Sequence, residues 1–454
     1  MYSDDIARFV SNLKFDRIPK DVISRAKELM LDCVGVAIAG SSEMSVKNAI
    51  KALEKLPSSK GECKIWGHRK KLAPNFAAMI NAISSHALDF DDTHTGAIVH
   101  ASAILTPLCL SYADFLNISH KRILTAFVAG WEVAARVGIA SKGGFHKRGF
   151  HTTAIAGIFG ATAAASVIFG LDKNECVNAL GLAGSYAGGI NEFLSNGSNS
   201  KVIHVANCLN NAIMATNFAK CGMSGPASVF EGRDNIFKTF GVESECDKKG
   251  LTKGLGKIWQ TMQVSIKPYP SCHFAHGLIE CAILLRNDGL KSDDIKSIKC
   301  FVNGVAANFI CDPMDAKYAP KTAYEAKFSM PFLMALAFFD GKIEIKSYEN
   351  LNRADVINFA KKISYERREN SGFPKYFSGH IEAILNSGES LKKDVFINRG
   401  NFDNPLGIDE IFEKFTRCVG AKMSPNKILA LKNAIANYEN LKEPLDKILL
   451  DLCL

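Results

Sequence analysis

Thirteen cysteines occur in this sequence, yet none belongs to a CxxC pair, and the nearest two, Cys272 and Cys281, lie nine positions apart (281 − 272). A structural zinc site or a small disulfide framework needs tighter pairing. The cysteines therefore read as reduced thiols used as small buried hydrophobes. Other signatures are missing too: no GxGxxG behind a strand, no GxxxxGK[ST], no GxSxG, no HExxH and no kinase set. The GG within residues 186–190 follows a helical stretch, which argues against a dinucleotide-binding turn. No internal repeat, low-complexity tract or heptad run is found. The opening MYSDDIARFV carries early acidic residues and no apolar signal-type segment. The longest weakly polar stretch, residues 152–171, is rich in Ala and Gly and interrupted by Thr162 and Ser166. It reads as a tightly packed buried helix rather than a membrane span. A cytoplasmic protein with no membrane partner is expected.

With 454 residues the chain can build two or three domains, and 47% hydrophobic against 22% charged residues is a globular balance rather than a disordered one. The formal charge is +9, but the lysines are scattered. The densest basic runs, 68–71 and 365–368, are short and lack interleaved aromatics, so no nucleic-acid partner is expected. A mild positive bias suits a small anionic substrate.

Up to about residue 240 the apolar spacing predicts helices over 18–39, 43–56, 75–88, 102–116, 121–141, 153–169, 174–186 and 201–221, with no convincing alternating strand. From Ile266 to about Asn401 helices and strands mix. Residues 297–305 alternate as a strand, 380–386 and 394–398 resemble a hairpin around a Ser-Gly turn, and 324–339 and 352–362 look helical. The tail, 407–453, returns to helices. The predicted fold is mainly α with an inserted α+β domain: residues 1–265 and 403–454 form a large helical domain, and 266–402 a smaller α+β domain.

Four polar clusters stand out. Residues 86–100, HALDFDDTHTGAIVH, place Asp89, Asp91, Asp92, Thr93, His94 and His100 beside an apolar helix. Carboxylates beside histidines can ligate a hard metal, fix a tautomer, or exchange protons, and on their own they also fit a solvated turn. Residues 143–153, GGFHKRGFHTT, bring His146 and His151 with Lys147 and Arg148 before a helix start, a setting that suits an anion. Lys201 and His204 stand one helical turn apart. In KPYPSCHFAH, residues 267–276, two prolines fix an extended path before His273 opens a helix and His276 follows one turn on. Cys272 beside His273 reads as a bystander thiol. Together the clusters supply cations for a polycarboxylate and groups able to shift a proton.

In this order the segments resemble the MmgE/PrpD family, which includes 2-methylcitrate dehydratases, cis-aconitate decarboxylases and iminodisuccinate epimerases. The resemblance covers nearly the whole chain. It is carried by HALDFDDTH with His100, GFHTTAIAGIFGATAAA at 149–165, LGLAGSYAGG at 180–189, KVIH at 201–204, GPASVFEG at 225–232, KPYPSCHFAH, EAKFSMPF at 325–332 and FDNPLG at 402–407. It implies a homodimer, an α+β domain that acts as a lid, a site between the two domains, and catalysis without metal or organic cofactor. Position by position it implies Asp89, His100, His151, Lys201 and His273 as catalytic residues, with Thr93, His204 and Lys267 binding substrate. The expected activity is a lyase, a dehydratase or decarboxylase, acting on a small di- or tricarboxylate such as 2-methylcitrate or cis-aconitate. An epimerase on a dicarboxylate such as iminodisuccinate is the alternative. DFDDTH with its short insert lies closer to the decarboxylase and epimerase branch than to the dehydratases. HAS at 100–102 replaces the common HPS. Met314 stands where the decarboxylases carry a lid tyrosine, with Tyr318 four residues on, and either Lys317 or Lys321 is the basic residue facing the lid.

Overall fold

The computed structural model describes residues 1–369, 372–420 and 422–442; the last part of the predicted helical tail lies outside them. Helix boundaries follow capping chemistry. His120–Ala140 opens on Ser119, whose side chain accepts from the Arg122 N–H, and Lys173–Tyr186 opens on a reciprocal Asp172–Glu175 capping box. Thr152–Phe169 ends at Gly170 with φ +70°, the left-handed exit that glycine permits.

His120–Ala140 and Thr152–Phe169 are each long and apolar enough to cross a membrane, but 94% and 89% of their apolar windows are buried inside the protein. They are core helices packed against each other. Their small residues allow a close crossing: a Cβ on Gly160 would stand 2.6 Å from the Gly130 carbonyl oxygen and 2.6 Å from the Ala134 Cβ. The chain's later part returns to this body. Ile408–Val419 and Pro425–Ala436 pack on Lys20–Gly40, with the Phe415 ring occupying the space a side chain at Gly35 would need. One core accordingly joins Val34, Trp131 and Phe159 with Ile411, Phe415 and Leu431.

A second core runs from Cys272 to Leu385 and also takes in Ile98, a residue from the first half of the chain. Its sheet has the order Ile363–Arg367, Ile295–Val302, Gly379–Leu385, Ser390–Val395. The first pair is parallel and the other two are antiparallel. Gly379–Leu385 alternates buried and half-buried residues, so one face packs on helix His276–Asn287. The whole is a mainly helical fold with a small α+β region.

The structure corrects several local expectations. The second hairpin strand is Ser390–Val395, not 394–398, because the turn closes at Gly388 with φ +91°. The stretch 324–339 is two helices, Ala323–Ala326 and Met330–Asp340. Ser329 caps the second and Pro331 sits in its first turn, where a missing N–H costs nothing. Ile363–Arg367 was not foreseen as a strand, since its outward residues are mostly exposed. Short ladders Cys63–Lys64 with Lys71–Leu72, and Thr93–His94 with Val264–Ser265, also form in the helical half. Two residues are too few to show alternation. Among the described residues no disulfide is formed, and the described cysteines other than Cys63, Cys221 and Cys246 are buried.

Filling the helix crossing tests this packing. Gly160→Val is expected to lower stability by about 1–3 kcal/mol or more, read as a lower urea midpoint with an unchanged m-value.

Candidate active site

Where helix Pro74–His86 ends, the chain makes a tight polar turn that brings residues 89–92 into the interior. Asp89 adopts φ +52°, and Ile98, nine residues on (98 − 89), adopts φ +56°. The left-handed region costs a β-branched residue of order 1–3 kcal/mol, so the surroundings hold this loop firmly. The ladder of Thr93–His94 with Val264–Ser265 ties it to the strand that leads into Lys267.

Asp89 is 2% exposed and lies between two ammoniums. Lys201, the first residue of helix Lys201–Lys220, pairs with its Oδ1. Lys267, fully buried, donates to the Asp89 carbonyl at 2.8 Å and reaches its Oδ2 at 3.2 Å. Burial alone would raise the Asp89 pKa, but Lys201 and Lys267 outweigh it and hold the carboxyl well below its usual range. Burial likewise works against the Lys267 ammonium, and Asp89 and Asp91 restore it to above its ordinary value. Asp91 stays a carboxylate; it accepts from His86 Nδ1 at 2.7 Å, with both side chains fully buried. Asp92, in contrast, is pushed well above the usual carboxylate range by burial, with Asp32 and Asp91 adding to the effect.

The histidines sort by their hydrogen bonds. His100 Nδ1 lies 2.7 Å from the Asp92 carbonyl oxygen, which can only accept, so Nδ1 carries the proton and Nε2 is left for the cavity. Burial lowers its pKa to about 3 despite Asp91, with Lys267 and Lys201 acting in the same direction as burial. His151, the N-cap residue of Thr152–Phe169, meets His204 Nδ1 to Nδ1 at 3.1 Å and is also held well below its ordinary value by burial and by Lys201. The ring centres of His100 and His151 are 6.5 Å apart. His273 receives Asn398 Nδ2 on its Nε2 at 3.2 Å. His94 is different: it accepts from Ala97 N–H and donates to Gln260, so it braces the loop.

Several of these side chains line one cavity, made by Asp89, Thr93, Ile98, His100, His146, His151, Phe193, Lys201, Cys272, His273, Phe274, Phe309, Phe328 and Phe377. Asp89, Thr93, His100, His151, Lys201 and His273 therefore converge. Lys267 stands behind Asp89 and His204 behind His151, each touching a lining residue. Lys147 and Arg148 do not contribute to an anion site, because Lys147 pairs with Glu245 at the surface and Arg148 is exposed. Lys317, not Lys321, turns inward, donating to the Phe309 and Phe328 carbonyls, while Tyr318 points to the sheet at the Ile363 carbonyl. Sequence reasoning missed the phenylalanines, Asn398 and the buried Lys327, which sits in the helix break before Ser329. The five phenylalanines lie far apart in the sequence and form no motif, but the Lys-Phe-Ser of EAKFSMPF did carry the break. Among the described residues no group of three or more His, Cys, Asp or Glu is arranged to hold a metal ion.

The buried histidines set the acid limb of stability. Their neutral forms are favoured in the folded chain, with His94, His146 and His204 lowered to about 4 and His100 to about 3 by burial. The unfolded chain, whose histidines titrate near 6.5, binds more protons below that pH. Stability is therefore complete above about pH 6.5 and is lost progressively toward pH 4, before Asp89 titrates. Urea midpoints at pH 7, 6 and 5 check the slope. Asp89→Asn, which leaves two buried ammoniums without their counter-ion, is expected to cost about 3–5 kcal/mol in the same assay at pH 7.

The chain is similar to known proteins along almost its whole length. The chain is 26% identical to a cis-aconitate decarboxylase-like protein of Aspergillus oryzae, over 96% of this chain and 94% of that one. It is 24% identical to a cis-aconitate decarboxylase of Aspergillus terreus, over 97% and 94%, and 25% identical to the mouse cis-aconitate decarboxylase, over 97% and 91%. The MmgE/PrpD N-terminal domain matches residues 4–248 and the MmgE/PrpD C-terminal domain residues 269–440. With both halves matched in order around one cavity, the chain belongs to the MmgE/PrpD family.

Proposed function

We propose that the chain is a lyase that removes a neutral fragment from a small di- or tricarboxylate, with decarboxylation as the leading reaction and with no metal taking part. The observation that carries this reading is the charge inventory of the cavity. Lys201 reaches the cavity itself, and its counter-ion Asp89 is shared with the buried Lys267 behind it. Two ammoniums thus meet one carboxylate at the cavity wall, and an anionic substrate supplies further negative charge where water reaches poorly.

A substrate carboxylate beside Lys201 orients the molecule among His100, His151 and His273. Apart from Asp89, Thr93, His146 and Cys272, the remaining lining is apolar: Ile98, Phe193, Phe274, Phe309, Phe328 and Phe377. A second carboxylate set against this aromatic lining is poorly solvated, which favours its departure as uncharged CO₂. As the C–C bond breaks, its electron pair stays on carbon and spreads toward the carboxylate held by Lys201, whose ammonium stabilises it. A proton from an imidazole then closes the carbon. Burial holds the site histidines neutral, so an anion that raises the pKa of His100 or His151 binds together with a proton. The similarity to proteins named cis-aconitate decarboxylases over almost the full chain supports the same reaction class. The two imidazoles 6.5 Å apart would also serve an epimerase, one removing a proton from carbon and the other returning it.

An NMR screen in D₂O of cis-aconitate, 2-methylcitrate, citrate and iminodisuccinate separates these readings. A lyase gives a new product, and an epimerase gives proton exchange without loss of a fragment. With the substrate so found, His100→Gln and His151→Gln are each expected to lower kcat by about 10²–10⁴-fold, and EDTA is expected to leave kcat unchanged. Full turnover by Lys201→Ala would overturn the site assignment. Binding in weak buffer is expected to take up a proton, seen as an indicator shift to higher pH.

A further inference from the structure

Every residue of the turn 89–92 has an acceptor held by a buried donor. Lys267 takes the Asp89 carbonyl at 2.8 Å, Lys414 the Phe90 carbonyl at 2.9 Å, His86 the Asp91 carboxylate at 2.7 Å, and His100 the Asp92 carbonyl at 2.7 Å. Three of these donors belong to the site or adjoin it. Lys414 does not line the cavity. It comes from helix Ile408–Val419, far along the chain, and its ammonium lies 2.7 Å from Asp32 Oδ1 on helix Lys20–Gly40. Both side chains are 1% exposed, and the ammonium also stands 4.0 Å above the Phe90 ring.

A buried ion pair is a poor device for stability, since well-packed apolar residues of similar size commonly do as well or better. What an apolar pair cannot do is donate to a carbonyl. The Phe90 carbonyl is the one backbone acceptor in the turn that receives its donor from outside the site, and it directly follows Asp89, whose left-handed backbone aims its carboxylate between Lys201 and Lys267. We propose that Lys414, oriented by Asp32, is a positioning residue that pins the Phe90 carbonyl and so fixes Asp89 for catalysis. It acts through Asp89 and touches no substrate. The effect on turnover rests on the lyase reading above; the effect on the turn does not.

The test separates position from stability. Asp32→Leu/Lys414→Met replaces the pair by apolar residues and is expected to fold with a melting temperature at or near that of the parent. Amide hydrogen exchange of the peptide covering 86–94 is then expected to speed by about tenfold or more, while helix Thr152–Phe169 keeps its protection. kcat on the substrate identified above should fall on the order of 10²-fold with KM changed much less, because a misplaced group loses transition-state alignment more than binding. Asp32→Asn keeps the Lys414 donor but leaves its ammonium without a counter-ion, so it is expected to lower the melting temperature while loosening the 86–94 peptide less than the double variant does. Unchanged exchange in the folded double variant would overturn the proposal whatever the substrate. If the double variant does not fold, Lys414→Met alone is read by the same exchange measurement, with global protection as the control; loosening of the turn and of the helices in equal measure would assign the pair to stability and overturn the proposal. Faster exchange with normal turnover by the parent, by His100→Gln and by Lys201→Ala would instead refute the lyase site and leave the pinning intact.

Discussion

One carboxylate shared by two buried ammoniums is the constraint on which the rest depends. Asp89 cannot be solvated where it lies, so it needs Lys201 and Lys267, and the Lys267 ammonium in turn is held by Asp89 and Asp91 against its own burial. That mutual need draws together the end of one helix, the start of another and the strand that leaves the helical body. The unusual backbone at Asp89 and Ile98 is the geometric cost of bringing these three elements to one point.

The same burial that makes Asp89 expensive sorts the other ionisable groups into complementary states. Carboxylates with cationic or imidazole partners stay charged, as Asp89 and Asp91 do, and Asp92, lacking such a partner, is driven toward its neutral acid. Histidines lose their charge and keep a lone pair, with the tautomer of His100 set by a backbone carbonyl that cannot donate. The outcome is a cavity with surplus positive charge but neutral proton carriers, waiting on an anion to change their affinity for protons.

Much of this was legible in the chain. Lys20–Gly40 was readable from the proline before it and the glycine at its end, Thr152–Phe169 from its small and apolar composition closed by Gly170, and Lys201–Lys220 from its 3.6-residue apolar period. The polar clusters were readable because a histidine or carboxylate beside an apolar run is conspicuous. Less was visible where position depends on partners remote in sequence. The two-residue ladder at Thr93–His94 has no period of its own, and the parallel strand Ile363–Arg367 is defined by its neighbour rather than by alternation. Phe193, Phe309 and Phe377 look like any core residue until the fold sets them around a cavity. For His94 and His100, six positions apart (100 − 94), only the hydrogen-bond partners tell brace from site.

Chain order adds a further consequence. The turn at 89–92 is made early, but its donors arrive from residues 201, 267 and, last, 414. The Phe90 carbonyl therefore has its donor only once helix Ile408–Val419 has been made and docks. The site thus cannot be completed piecemeal during synthesis: a chain stopped short of that helix has the visible motif and most of its partners, and still lacks the last peg that locks the turn.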